Sequence, residues 1–193
     1  MFIASISGLP IPLLPIHILW VNLVTDGLPA FALGVDPVDK NVMNRPPLPA
    51  GESIITKKRG IILSLQGLVI ALCSLCTFIY LLYIAKESLI HARTGAFIVL
   101  ATSQLFHSFN FRSSTNSLFK IGIFTNSKLV LATLISFLLQ MSAVYVPFLQ
   151  KVFKTDPLQT NHLILVIIIS SLPLFIMEIV KGMNRIFKKD WLE

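Results

Sequence analysis

Asn22, Thr25 and Asp26 put an amide, a hydroxyl and a carboxylate inside one apolar run, Leu19–Ala30, within a segment long enough to cross a bilayer. Spaced i, i+3 and i+4, they share one face of a helix. A carboxylate at the centre of a membrane helix costs roughly 2.5–3.5 kcal/mol on insertion scales. Such residues persist where they face a protein interior or a polar cavity, so the default reading is a functional site. Pro29 has no N–H to give the carbonyl of Thr25. The sequence therefore predicts an interruption of this helix near Gly27–Pro29 and one more oxygen freed beside the three side chains. The chemistry is that of a hard cation such as Ca²⁺, which takes six to eight oxygens from carboxylate, amide and carbonyl groups. This segment cannot complete such a shell. Other helices must contribute, with a further charged ligand from outside the chain. The competing reading of the same residues is a polar helix–helix contact with Asp26 neutral or paired.

A second polar cluster, Ser103, Gln104, His107, Ser108 and Asn110, lies in another apolar run. Gln104, His107 and Ser108 share a face by the same spacing. Gln104 could ligate an ion or hydrogen-bond a neighbouring helix. His107 reads as an interhelical hydrogen-bond partner, because no other histidine stands at ligand spacing. Gln140 reads as a helix–helix contact. Glu178 with Lys181 at i+3 reads as a screened pair with the lysine snorkelling, and His17 as interfacial. Cys73 and Cys76 form a C-x-x-C in an apolar helix without polar support, and read as buried small residues rather than a redox or zinc motif. No residue of the chain reads as catalytic.

The elements that must hold these groups follow from composition. Of 193 residues, 54% are hydrophobic and only 13% charged, with mean hydropathy +0.79. Ordinary soluble domains carry nearly twice that share of charge. Five apolar runs reach the roughly 20 residues a crossing needs, near 13–34, 60–85, 94–112, 128–149 and 161–182. Residues 1–9 are apolar but too short to cross, and look like the tail of a helix. Gly8 to Pro12 makes a tight turn into the first full span. The fold class is an all-α polytopic membrane protein, with five transmembrane helices plus the end of a sixth. No signal peptide is predicted.

Residues 35–59 form the largest polar connection, with Pro37, Pro46, Pro47, Pro49 and Gly51 suiting an ordered, turn-rich loop. The net charge of +7 sits at segment ends, which points to topology signals and lipid head groups and not to nucleic acid. If the loops 35–59 and 113–127 share a side with the C-terminal tail, that side and its flanks hold twelve Lys and Arg against four. The excess predicts that these parts are cytoplasmic.

At Trp20–Ala30 the string W-V-N-L-V-T-D-G-L-P-A, followed by Leu33-Gly34 and Met43-Asn44-Arg45-Pro46-Pro47, resembles the sixth transmembrane helix and following loop of P-type calcium ATPases. Sodium and proton pumps carry different residues there. The resemblance extends over the whole chain, residues 1–193, whose spans look like helices six to ten of the ten-helix pump. Phe106–Lys128 and Tyr145–Phe153 look closest to bacterial and secretory-pathway-type pumps. The resemblance implies that Asn22 and Asp26 ligate the ion site these pumps share, and that Thr25 belongs to the additional site of two-ion pumps. Gln104 falls where two-ion pumps place a glutamate. A neutral amide there implies one Ca²⁺ per cycle, with Mn²⁺ as a plausible second cargo. It also implies partners outside this chain, namely the N-terminal pump helices and the cytoplasmic domains that use Mg-ATP, besides the lipid bilayer. In a bacterium the location would be the plasma membrane. The D-K-T-G-T and T-G-E-S motifs do not occur, so the chain alone is not expected to hydrolyse ATP. The alternative expectation is a truncated, non-enzymatic membrane module that binds or regulates another pump.

Overall fold

A computed structural model describes residues 1–37, 56–113 and 116–187. Most of the 35–59 connection and residues 188–193 lie outside them, so the expectation of a turn-rich loop, and that for the end of the tail, concerns residues not described. The described residues form helices and turns with no strand. Five of the helical segments are long and apolar enough to cross a membrane: Pro15–Gly34, Arg59–Ile84, Leu89–Arg112, Ser127–Tyr145 and Thr160–Met183. The chain is thus an all-α integral membrane protein.

The opening helix α1 (Phe2–Ile6) stops at Gly8, whose φ of +68° is a conformation glycine adopts without penalty. The first span consists of α2 (Pro15–Trp20), a π-helical turn (Val21–Thr25) and α3 (Gly27–Gly34). The interruption predicted near Gly27–Pro29 therefore takes the form of a widened turn just before Gly27. The backbone stays right-handed through Asp26, at φ −91° and ψ −37°, and does not unwind.

The second span is α4 (Lys57–Ile79), capped by the Thr56 hydroxyl on Arg59 N–H, and it ends in a π-helical turn at Tyr80–Ile84. The third is α5 (Leu89–Ser108), capped by Ser88 and closed by a 3₁₀ turn at Phe109–Arg112. It begins five residues before the predicted 94, because Ser88 supplies the cap. A short α6 (Leu118–Ile121) leads to α7 (Ser127–Tyr145), capped by the Asn126 side chain. The fourth span was expected to run to 149, and instead α7 stops at Tyr145. Val146 precedes Pro147 and is extended, at φ −85° and ψ 121°, as a residue before proline prefers. Pro147 then opens a separate helix, α8 (Pro147–Phe153). The last helix, α9 (Thr160–Phe187), carries Pro173 inside it.

The third span is the hub. Of its most apolar window 61% is buried, against 17–33% in the other four spans. Small residues on it let neighbours approach closely. Ala92, Ala96 and Ala101 pack in one cluster with Phe78, Leu81, Phe97 and Val21. A Cβ on Gly95 would collide with the Leu81 side chain. Ile98 and Val99 join Val144 and Val166 in a second cluster.

Polar contacts mark two opposite ends. At one, Arg112 pairs with Asp36 and Glu178 takes up Ser117. At the other, Arg93 Nε donates to the Ile11 carbonyl at 2.9 Å, and His162 lies 3.3 Å from Glu87. The connections therefore alternate between ends, as five successive crossings require.

Candidate cation site

The widened turn is held from three directions. Asp26 N–H reaches back five residues to the Val21 carbonyl at 3.0 Å. The Thr25 hydroxyl donates to the same oxygen at 2.7 Å. Ser136, on α7, donates to the Val24 carbonyl at 3.1 Å. Pro29 has no N–H for the Thr25 carbonyl, and the Ala30 N–H goes to Asp26 O at 3.1 Å. Single π-helical turns occur often at functional sites, and this one carries the only carboxylate in the middle of any span.

One turn earlier the span is clamped to its neighbours. His17 is wholly buried, stacked on Phe97 with centroids 4.4 Å apart. Leu14 N–H points at its Nδ1, so Nε2 carries the proton and donates to the Phe153 carbonyl at 2.7 Å. This corrects the interfacial placement expected for His17: a concave seat formed by α5 and α8 takes in the ring and satisfies both nitrogens. Trp20 Nε1 donates to Gln140 Oε1 at 3.0 Å, which is the interhelical role read for Gln140. Asp26 is therefore carried on a short, loosened segment just beyond a fixed anchor.

Thr25, Asp26 and Gln104 come together around one cleft of about 360 Å³, with Gln66, His107 and Ser108 on its other walls. Thr25 is buried and Asp26 half-buried. The Asp26 carboxylate makes no hydrogen bond or ion pair among the described residues. Gln104 Oε1 is a buried acceptor that no donor reaches. Asn22 is not among the cleft-lining residues. It is exposed on the outer surface of the first span, on a face that the helices of this chain leave uncovered.

Gln66 is the wall residue that sequence reasoning missed. It is a single amide in a long apolar run, with no polar neighbour at helical spacing, and only packing shows where it points. His107 Nε2 lies 3.2 Å from Gln66 Oε1, and its Nδ1 lies 3.1 Å from Asn110 Nδ2. His107 is thus a hydrogen-bond partner between helices, as its lone position suggested.

Two other expectations are corrected. Lys181 does not snorkel: it is 3% exposed, and its ammonium donates to the Asn110 carbonyl at 3.1 Å and to Glu178 at 3.3 Å. Glu178 in turn accepts from the Ser117 hydroxyl and the Leu118 N–H. The turn around 117 folds over the pair and shields it. The cysteines are free, Cys73 half-buried but Cys76 exposed, because Cys76 lies on the outward face of α4.

Among the described residues no three His, Cys, Asp or Glu side chains are grouped to hold a metal ion. The cleft offers one carboxylate, neutral amide oxygens, hydroxyls and a loosened backbone. That is an oxygen-only donor set, suited to a hard cation and short of the six to eight ligands Ca²⁺ takes.

The family model for the cation transporting ATPase C-terminus matches residues 10–183. The chain belongs to that family. Similar to this cation-transporting ATPase C-terminal region are calcium-transporting ATPase 1 of Bacillus cereus, 42% identical over 94% of the chain, and the calcium-transporting ATPase of Bacillus subtilis, 41% identical over 92%. Human calcium-transporting ATPase type 2C member 1 is 34% identical over 95% of the chain. The match covers 22%, 20% and 20% of those three proteins. The ATPase C-terminal region thus spans about a fifth of the length of its relatives.

Proposed function

We propose that this chain is the C-terminal membrane part of an ATP-driven calcium pump, and that its first span supplies part of the ion site. The observation that carries this is Asp26, an unpaired carboxylate at a widened helical turn, lining a cleft in the middle of an apolar bundle. Thr25 and its carbonyl lie on the same wall. Asn22, one turn earlier, presents its amide to the uncovered face, where the pump's preceding helices would complete the shell. Mg-ATP is used by domains outside this chain. Mn²⁺, which accepts the same oxygen donors, is a second cargo. The three named relatives are calcium transporters by name, which favours Ca²⁺ as the main one.

Gln104 decides stoichiometry. Its oxygen lines the cleft but carries no charge, so a second divalent ion beside the first lacks a counter-charge from this side. Ca²⁺ activation of the intact pump is expected to show a Hill coefficient near one, since a lone site has nothing to couple to. Gln104→Ala should shift Ca²⁺ affinity by no more than about threefold, roughly 0.7 kcal/mol. Equilibrium binding of two tightly held Ca²⁺ per pump, one of them lost in Gln104→Ala, would overturn the single-site reading.

The end that holds Arg112 and Lys181 is assigned to the cytoplasm, which in a bacterium places the pump in the plasma membrane. Lys57 is exposed at the start of α4 on that side. A cysteine introduced there should react with membrane-impermeant thiol reagents only from the cytoplasm, and labelling from outside would reverse the topology.

A further inference from the structure

Two cavities beside α4 and α9 run into one another. One, about 250 Å³, is walled mainly by apolar side chains, among them Leu65, Val69, Ile176 and Val180. The other, about 140 Å³, is lined by Arg59, Asn110, Ser113 and Lys181. Ile62, Gln66 and Met177 line both, so the two are continuous. Together they make a crevice with an apolar body and a basic, polar mouth at the Arg112 end of the bundle.

The polar mouth is built from buried groups. Lys181 is 3% exposed and places two of its three ammonium N–H groups, on Asn110 O and Glu178. Asn110 is 5% exposed, and its Oδ1 is a buried acceptor with no donor. Arg59 stands in the first turn of α4. With Glu178 counted against Arg59 and Lys181, two positive charges and one negative leave a net +1. The occupant this calls for brings one negative charge, a hydrogen-bond donor for Asn110 and an apolar chain. A soluble anion lacks the chain, and a neutral lipid lacks the charge.

We propose that the crevice holds one anionic glycerophospholipid with a hydroxyl-bearing head group. Its phosphate lies between Arg59 and Lys181, a head-group hydroxyl donates to Asn110 Oδ1, and one acyl chain runs down between α4 and α9. Basic pockets between transmembrane helices bind anionic head groups in this way. The lipid site is separate from the Asp26 cleft, from which the Gln66–His107 pair divides it, and it does not depend on what that cleft binds.

Native mass spectrometry of the detergent-purified chain, titrated with phosphatidylglycerol or phosphatidylcholine, tests this. One phosphatidylglycerol should be retained at least fivefold more tightly than phosphatidylcholine. Arg59→Gln should reduce that preference below twofold, while Arg59→Lys, which keeps the charge, should preserve it. Val180→Phe fills the apolar body without altering charge and should weaken both lipids. Equal retention of the two lipids by the unaltered chain, or indifference to both Arg59→Gln and Val180→Phe, would overturn the proposal. Displacement of phosphatidylglycerol by inorganic phosphate, with Val180→Phe without effect, would make this a soluble-anion site and also overturn it.

Discussion

Asp26→Asn in the intact pump is expected to raise the Ca²⁺ concentration for half-maximal phosphorylation from ATP by at least about 100-fold, roughly 3 kcal/mol of ion binding. Asparagine keeps the shape of the side chain and removes its charge. The amide can still present one neutral oxygen, but the divalent ion loses the only carboxylate lining the cleft. Folding should not suffer, because the carboxylate has no partner among the described residues to lose. An unpaired charge within a membrane span is itself costly, so the variant's thermal stability should be unchanged or raised. The pair of readouts separates a site residue from a structural one. Normal Ca²⁺ activation in a folded Asp26→Asn pump would remove Asp26 from the ion site.

Arg112→Met is expected to lower the stability of the membrane domain by about 3–5 kcal/mol, the usual cost of removing one member of a buried ion pair. The Arg112 side chain is 3% exposed, and Nε donates to both carboxylate oxygens of Asp36 at 3.1 and 3.2 Å. Nη1 donates to the Gly122 carbonyl and Nη2 to the Thr25-unrelated hydroxyl of Thr125, each at 2.8 Å. Asn126 adds a bond to Asp36 at 2.8 Å and another to the Ala32 carbonyl at 3.1 Å. One guanidinium thus ties the end of the first span to the 113–126 connection, and its loss strands Asp36 beside a buried amide. Asp36→Asn in the same chain should recover part of the loss. Unfolding in a denaturing detergent, followed by helical circular dichroism, measures both variants and the double variant. Equal stability of Arg112→Met and the parent would show that the pair is a solvated contact.

What the residues by themselves determined is the membrane class, the number of crossings and the first span as the functional one. Each rests on local physics: a long apolar run has no soluble alternative, and an aspartate inside one is too costly to be incidental. The Pro29 break was legible for the same reason, since a missing N–H is a property of the residue. Its form was not. A widened turn at Val21–Thr25 depends on Ser136 reaching in from α7 to hold the Val24 carbonyl, and no periodicity in the first span encodes a donor 112 residues away. Gln66 was overlooked because a lone amide in an apolar helix looks the same whether it faces lipid or a neighbour. His17 and Lys181 were misplaced because their positions near helix ends suggested water or head groups, whereas α8 covers one and the turn at 117 covers the other. Spacing along one helix decided which side chains share a face. Only the packing of α3, α4 and α5 decided that Asp26 and Gln104 face each other across one cleft while Asn22 looks away, because the rotation of one helix against another is set by the side chains of both.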